Sequence, residues 1–280
     1  MSSVKAIKQR IANVRTTKKI MNAMDMVAAS KLQKARKRLE SALPHFGEIK
    51  RIIDNLRNDK QVMDNIFARE REIKNTAYII ITSDRGLCGS YNINIAEKAL
   101  EHMNKGKNEK ILVIGSKGNE YFKRRGKNIM SRVTDMSEAR MYEDTGLMSE
   151  LVASLYASGD VDEVFVAYTH FESTLNYVPR VERLLPVSLK PAEGQGEVKY
   201  EPNANLFLER AIPMYLHSYI YAANAESVAC EHASRMINMD TAGKNAGDII
   251  DELNRMYNRR RQAAITQELN EIIGGASILK

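Results

Sequence analysis

The sequence predicts an α/β protein: an antiparallel two-helix coiled coil formed by the N- and C-terminal segments, with a parallel-sheet α/β domain between them. Three observations lead there. Both ends of the 280-residue chain carry apolar residues at mostly alternating spacings of three and four, the seam of a coiled coil. The middle holds short β-branched runs, the first of them followed by polar, helix-competent stretches, as in a parallel sheet. Aromatics make up only 6%, Trp is absent and Met numbers 14. That composition suits long helices packed along narrow seams, where Met fills irregular gaps.

The N-terminal coiled-coil helix is expected within residues 1–58. Its seam runs through Ile7, Ile11, Val14, Met21, Ala28, Leu32, Ala35 and Leu39. Lys18 and Asp25 fall on seam positions, so the apolar stripe is expected to drift onto Ile20, Met24 and Val27 there. Pro44 and Gly47 should bend the helix without ending it, and Ile49, Ile52, Ile53 and Leu56 resume the pattern.

Residues 75–190 form the α/β domain. "TAYIIIT" (76–82) and "KILVIG" (110–115) are strands, followed by the helical stretches "INIAEKALEHM" and "NEYFKRRG". Strand followed by helix, twice, is the beginning of a Rossmann-like arrangement. "DEVFVAYTHF" (162–171) is a third strand and "YVPRVERLLPV" a further one. "KPAEGQGEVKYEPN" (190–203) is polar and rich in Pro and Gly, a loop and boundary. The C-terminal coiled-coil helix is expected within 205–280. No proline follows Pro213, and Ala225, Ala229, His232, Met236, Met239, Gly243, Ala246, Ile250, Leu253, Tyr257, Arg260 and Ala264 keep the seam spacing. A helix of about 60 residues spans roughly 90 Å, so much of it should protrude. Neither terminal seam is rich enough in large apolar residues to stand alone. Because the α/β domain lies between them, they should pair antiparallel.

The net charge of +7 is uneven: residues 1–40 hold eleven Lys and Arg against two acids. "SKLQKARKRLE" puts Leu32, Ala35 and Leu39 on one side of a helix and spreads five cations over the rest. With no interleaved aromatics, base stacking on nucleic acid is not on offer. A solvated face, or one meeting an acidic protein loop or a polar partner at the membrane side, is expected. Cys88 and Cys230 form no CxxC pair, which suggests two reduced thiols in a cytosolic protein. No apolar core of a secretory signal opens the sequence, and no run of about 18 apolar residues would span a bilayer.

"ITSDRGLCGSYN" (81–92) gathers Ser83, Asp84, Arg85 and Cys88 after a strand and so resembles an active site. It matches neither GxxxxGK[ST], GxGxxG nor GxSxG, and no His stands in a catalytic signature. No catalytic residue, cofactor or metal ligand is assigned. The glycines are expected to turn the chain tightly, with Asp84 and Arg85 holding the turn. At the far end, Arg255, Arg259, Arg260 and Arg261 form a cationic collar before Ile272, Ile273, Ile278 and Leu279. An overhanging tip of this kind would suit insertion into a sleeve made by other subunits; a tip folded back on its own base is the other arrangement.

Three stretches carry a family resemblance: "IKQRIANVRTTKKIMNAMDMVAASKLQKA" (7–35), "SDRGLCGSYN" (83–92) and "NAGDIIDELNRMYNRRRQAAITQELNEII" (245–273). Over essentially its whole length the chain resembles the gamma subunits of F-type ATP synthases. The resemblance implies a non-catalytic rotor shaft inside a ring of alpha and beta subunits. Its α/β foot would sit on a c-ring beside an epsilon subunit, on the cytoplasmic side of a bacterial membrane, and bind no nucleic acid. It also implies contacts to the hexamer from Lys18, Met24, Arg235, Gln262, Thr266 and Glu268, with Arg261 added, and contacts to the c-ring from Tyr200 and Glu201. The Cys-containing insertion of plastid relatives is missing, so no thiol gating is expected.

Overall fold

The computed structural model describes residues 4–55, 65–103, 108–137, 139–187 and 204–278. In chain order the elements are α1 (Val4–Asn55), β1 (Asn75–Ile81), α2 (Tyr91–Met103), β2 (Asn108–Ile114), α3 (Ser116–Arg124), β3 (Ile129–Val133), α4 (Met141–Ala157), β4 (Glu163–Phe171), β5 (Tyr177–Leu185) and α5 (Ala204–Ile278). α1 continues through Pro44 and α5 through Pro213. The chain divides into two compact units, one of residues 1–29 with 235–280, the other of residues 30–234.

The larger unit is built on a five-stranded sheet in the order β3-β2-β1-β4-β5. β1 lies parallel to β2 and β4, and β2 parallel to β3. β5 runs antiparallel to β4. The reason is the connection: residues 172–176 are too few for the crossover that parallel neighbours require, so the chain can only turn back.

β1 is apolar without alternation because it is covered on both faces. On one side Ala77, Ile79 and Ile81 join Leu112, Ile114, Val164 and Val166 under Met148, Val152 and Tyr156 of α4, together with Ile49 and Ile53 of α1 and Leu208, Ile212, Leu216 and Ile220 of α5. On the other side Tyr78 and Ile80 join Ile111, Val113 and Ala167 beneath Ile95, Ala96, Ala99 and Met103 of α2 and Phe122 of α3. β3 and α4 have no counterpart in the sequence reading. β3 is five residues long and only partly covered. α4 carries Asp144, Thr145 and Ser149 inside and leaves Tyr142 and Leu147 exposed, which blurs its amphipathic pattern.

One carboxylate ties the sheet together at its starting edge. Asp162, just before β4, accepts hydrogen bonds from the backbone N–H groups of Lys74 and Asn75, each at 2.8 Å. Burial alone would raise this carboxyl's pKa. The Asn75 and Lys74 N–H groups, aided by the charges of Arg71 and Lys74, outweigh burial and hold it below the ordinary value. A depressed folded-state pKa stabilises the fold above the ordinary carboxyl range, and the stabilisation is lost as pH falls through the folded value. Asp162→Asn should therefore lower the urea midpoint at neutral pH, and the gap from the parent chain should close below about pH 4. A gap unchanged by acid would show that the carboxylate's charge is not what matters.

Candidate functional site

The residues that resemble an active site are committed to structure. In a sheet of this order the chain reverses between β1 and β4, and ligands of such folds sit beyond the carboxyl ends of the strands at that point. Here α5 fills the ground. Cys88, Tyr91 and Cys230 form a buried cluster with Phe171 and Tyr177 packed on it. The Tyr91 hydroxyl donates to the Ser227 carbonyl oxygen at 2.9 Å, and Ser234 Oγ donates to the Cys88 carbonyl oxygen at 2.7 Å. The Thr169 N–H donates to Ser227 Oγ at 3.2 Å. Ser83 Oγ donates to the Arg85 carbonyl oxygen at 2.7 Å and accepts from Asn92 Nδ2 at 2.7 Å. The Asp84 carboxylate accepts from the Ser116 N–H and hydroxyl at 2.9 and 2.8 Å, linking this turn to the start of α3.

The sequence separates Cys88 from Cys230 and offers no sign of the cluster that unites them. Both thiols are free and buried, and burial pushes the Cys230 thiol well above its ordinary range. Since the thiolate is the reactive form, neither cysteine should be alkylated by iodoacetamide in the folded chain, and both should be in urea. Mass spectrometry of the treated protein checks this; rapid labelling of the folded chain would show that the cluster opens.

The smaller unit is the pair of terminal helices. Ile7 and Ile11 of α1 are buried with Leu253 of α5, and Val14, Ile250 and Tyr257 pack against them. A Cβ built on Gly247 would come 2.9 Å from Lys18 Nζ, and one on Gly243 would come 2.8 Å from Asn22 Oδ1. Rising numbers on α1 thus meet falling numbers on α5, so the helices run antiparallel. One expectation for this seam needs correction. The stripe does not drift onto Ile20 and Val27, which are exposed. Lys18 stays in the seam, half-buried, because the missing side chain of Gly247 leaves room for it.

All seven residues assigned to the hexamer fall in this unit, at differing depth. Arg235 is buried, Lys18 and Met24 are half-buried, and Arg261, Gln262, Thr266 and Glu268 are exposed along α5. Lys18 therefore contributes to the pairing of the helices as well as to their surface. Tyr200 and Glu201 lie outside the described residues. The sequence reading passed over Ile249 and Met256, and it placed Ile20 and Val27 in the seam. With Met26, these are large apolar side chains open to solvent. The signal that finds them is an apolar residue off the three–four seam on a helix already paired.

The ATP synthase family model matches residues 3–279. An ATP synthase gamma chain from Alkaliphilus metalliredigens is 39% identical, covering 98% of both chains. One from Nitrosococcus oceani is 37% identical over the whole of both. The chain belongs to the family of ATP synthase gamma chains. Among solved structures, a chain of the central stalk and c-ring structure of Tetrahymena thermophila mitochondrial ATP synthase has a TM-score of 0.65 at 27% identity, covering 80% of this chain and 99% of that one. A chain from the Euglena gracilis mitochondrial assembly of OSCP, F1 and c-ring has a TM-score of 0.70 over 99% of this chain and 94% of its own. At 15% identity the latter speaks to the fold alone.

Gamma chains are central-stalk rotor subunits of ATP synthase and are not catalytic. They belong to the part of the complex peripheral to the membrane. Among the described residues, no helix is long and apolar enough to cross a membrane. The buried cluster at the carboxyl ends of β1 and β4 places α5 where an enzyme of this topology would hold a cofactor.

Proposed function

We propose that this chain transmits rotation of a c-ring to the alpha/beta catalytic hexamer, coupling proton or sodium flow to ATP synthesis or hydrolysis on other subunits. The observation that carries this reading is the unequal helix pair. The described seam cluster reaches Tyr257 on α5, yet α5 continues to Ile278 and exposes Ile265, Leu269, Ile272 and Ile273. Ile272 and Ile273 are about two-thirds exposed, at 68% and 65%, and exposed apolar surface of this kind marks a partner.

In this reading Arg261, Gln262, Thr266 and Glu268 meet the alpha and beta subunits along the exposed part of α5. Lys18, Met24 and Arg235 do so nearer the seam. The foot, residues 75–190, rests on the c-ring beside epsilon, with Tyr200 and Glu201 as its ring contacts, on the cytoplasmic side of a bacterial membrane. No nucleic acid takes part. An asymmetric shaft in a threefold ring can drive the sites in sequence, because it shifts each conformational equilibrium only by favouring one state over another.

The test is co-purification followed by a coupling assay. Tagged chain should bring down a hexamer that hydrolyses ATP, while the chain alone hydrolyses none. Complexes lacking residues 262–280 should still hydrolyse ATP but build a weaker ion gradient in vesicles. Full pumping by the truncated complex would remove the shaft role from this segment.

A further inference from the structure

The basic run of α1 has a second aspect that its helical spacing does not reveal. Within the larger unit, Lys34, Lys37, Arg38 and His45 line one cavity of about 640 Å³, inside the range of small-molecule sites, roughly 300–1,000 Å³. It is also lined by Tyr142, at the start of α4, and Tyr221 of α5. No carboxylate is among its lining residues. Among the described residues, neither Lys34 nor Lys37 has an ion-pair partner. His45 Nδ1 lies 3.4 Å from Ser218 Oγ. The Tyr142 ring is 64% exposed and is held in place by His217 and Tyr221, with centroids 4.4 and 5.7 Å away.

Like charges gathered around a concavity add their potentials there and raise the local concentration of anions. We infer that this cavity binds a small organic phosphate, its phosphoryl oxygens against Lys34, Lys37 and Arg38 and its ring against Tyr142 and Tyr221. Phosphoryl groups fit the cationic wall because they carry several charges and many acceptors in few atoms, and both guanidinium and ammonium groups bind them. A protein segment would have to place several acidic side chains in the same volume to match that charge. The tyrosines distinguish an organic phosphate from a bare one, since exposed aromatic faces favour a flat ring. The inference does not depend on the rotor reading: a phosphate site here would exist whether or not the helix pair turns inside a hexamer.

Calorimetric titration of the full chain with pyrophosphate and, separately, with ADP tests it. Both should bind saturably at one site, with ADP the tighter. Lys34 and Lys37 are exposed, so the Lys34→Gln, Lys37→Gln double variant should keep its fold and weaken both ligands by about tenfold or more. Tyr142→Ala should weaken ADP and leave pyrophosphate unchanged. Absence of saturable binding, or binding unaltered in the double variant, overturns the site. ADP binding no tighter than pyrophosphate overturns the role given to the tyrosines.

Discussion

Replacing Gly115 by alanine is expected to destabilise the α/β domain by at least about 3 kcal/mol, a large share of the roughly 5–15 kcal/mol that holds a domain folded. Gly115 has φ near 97°, in the left-handed region that side chains avoid. A Cβ there would lie 2.3 Å from the Thr82 carbonyl oxygen and 2.6 Å from its carbonyl carbon. These are backbone atoms and cannot swing aside. They belong to a tight junction: the Thr82 N–H donates to the Ile114 carbonyl oxygen at 2.8 Å, the Gly115 N–H to that of Val133 at 2.9 Å, and the Lys117 N–H to that of Ser83 at 3.0 Å. Moving Thr82 would disturb β1, β2 and β3 together. Gly247→Ala is the contrasting case. It meets only the end of the Lys18 side chain, and removing a helical glycine gains up to about 1 kcal/mol, so stability there should hold or rise. Urea denaturation of the two variants checks the pair; a mild Gly115→Ala variant would mean that the junction is softer than its geometry.

Leu253→Ala should loosen the helix pair while leaving the sheet intact. Leu253 is buried against Ile7 and Ile11, the described core of the smaller unit. Truncating a buried leucine costs about 2–5 kcal/mol in a closed core, and the lower part of that range is expected for a two-helix seam that can relax. The larger unit has its own apolar layers on both faces of the sheet, so the damage should stay local. Hydrogen exchange should quicken across residues 4–17 and 248–270 and remain slow in β1, β2 and β4. In the assembled complex, ion pumping per ATP should fall more than hydrolysis does. Uniform acceleration of exchange through the sheet would show that the units unfold as one.

Much of this was legible before any fold was seen. Three–four spacing at Ile7, Ile11 and Val14, and again at Ile250, Leu253 and Tyr257, marks the seam, because a helix returns to one face at that period. The unbroken apolar run through Ile79, Ile80 and Ile81 marks a strand covered on both sides. The missing phosphate and nucleophile signatures around Ser83 and Cys88 set that loop apart from catalysis. Other features were hidden. β3 and α4 lack a strong period. Ile20 and Val27 belong by spacing to a drifting stripe, yet they face solvent, while Gly247 leaves room for Lys18 to stay in the seam.

The two terminal helices, their antiparallel pairing and the α/β core could be read from the order of residues alone, because they depend on periodicity and composition among near neighbours. Three outcomes could not. Cys88 and Cys230 share one cluster, α5 fills the place of a cofactor, and Lys34, Lys37 and Arg38 line one cavity with Tyr142 and Tyr221. Each depends on how surfaces far apart in the chain fit together, and that fit exists only once the sheet and helices have packed.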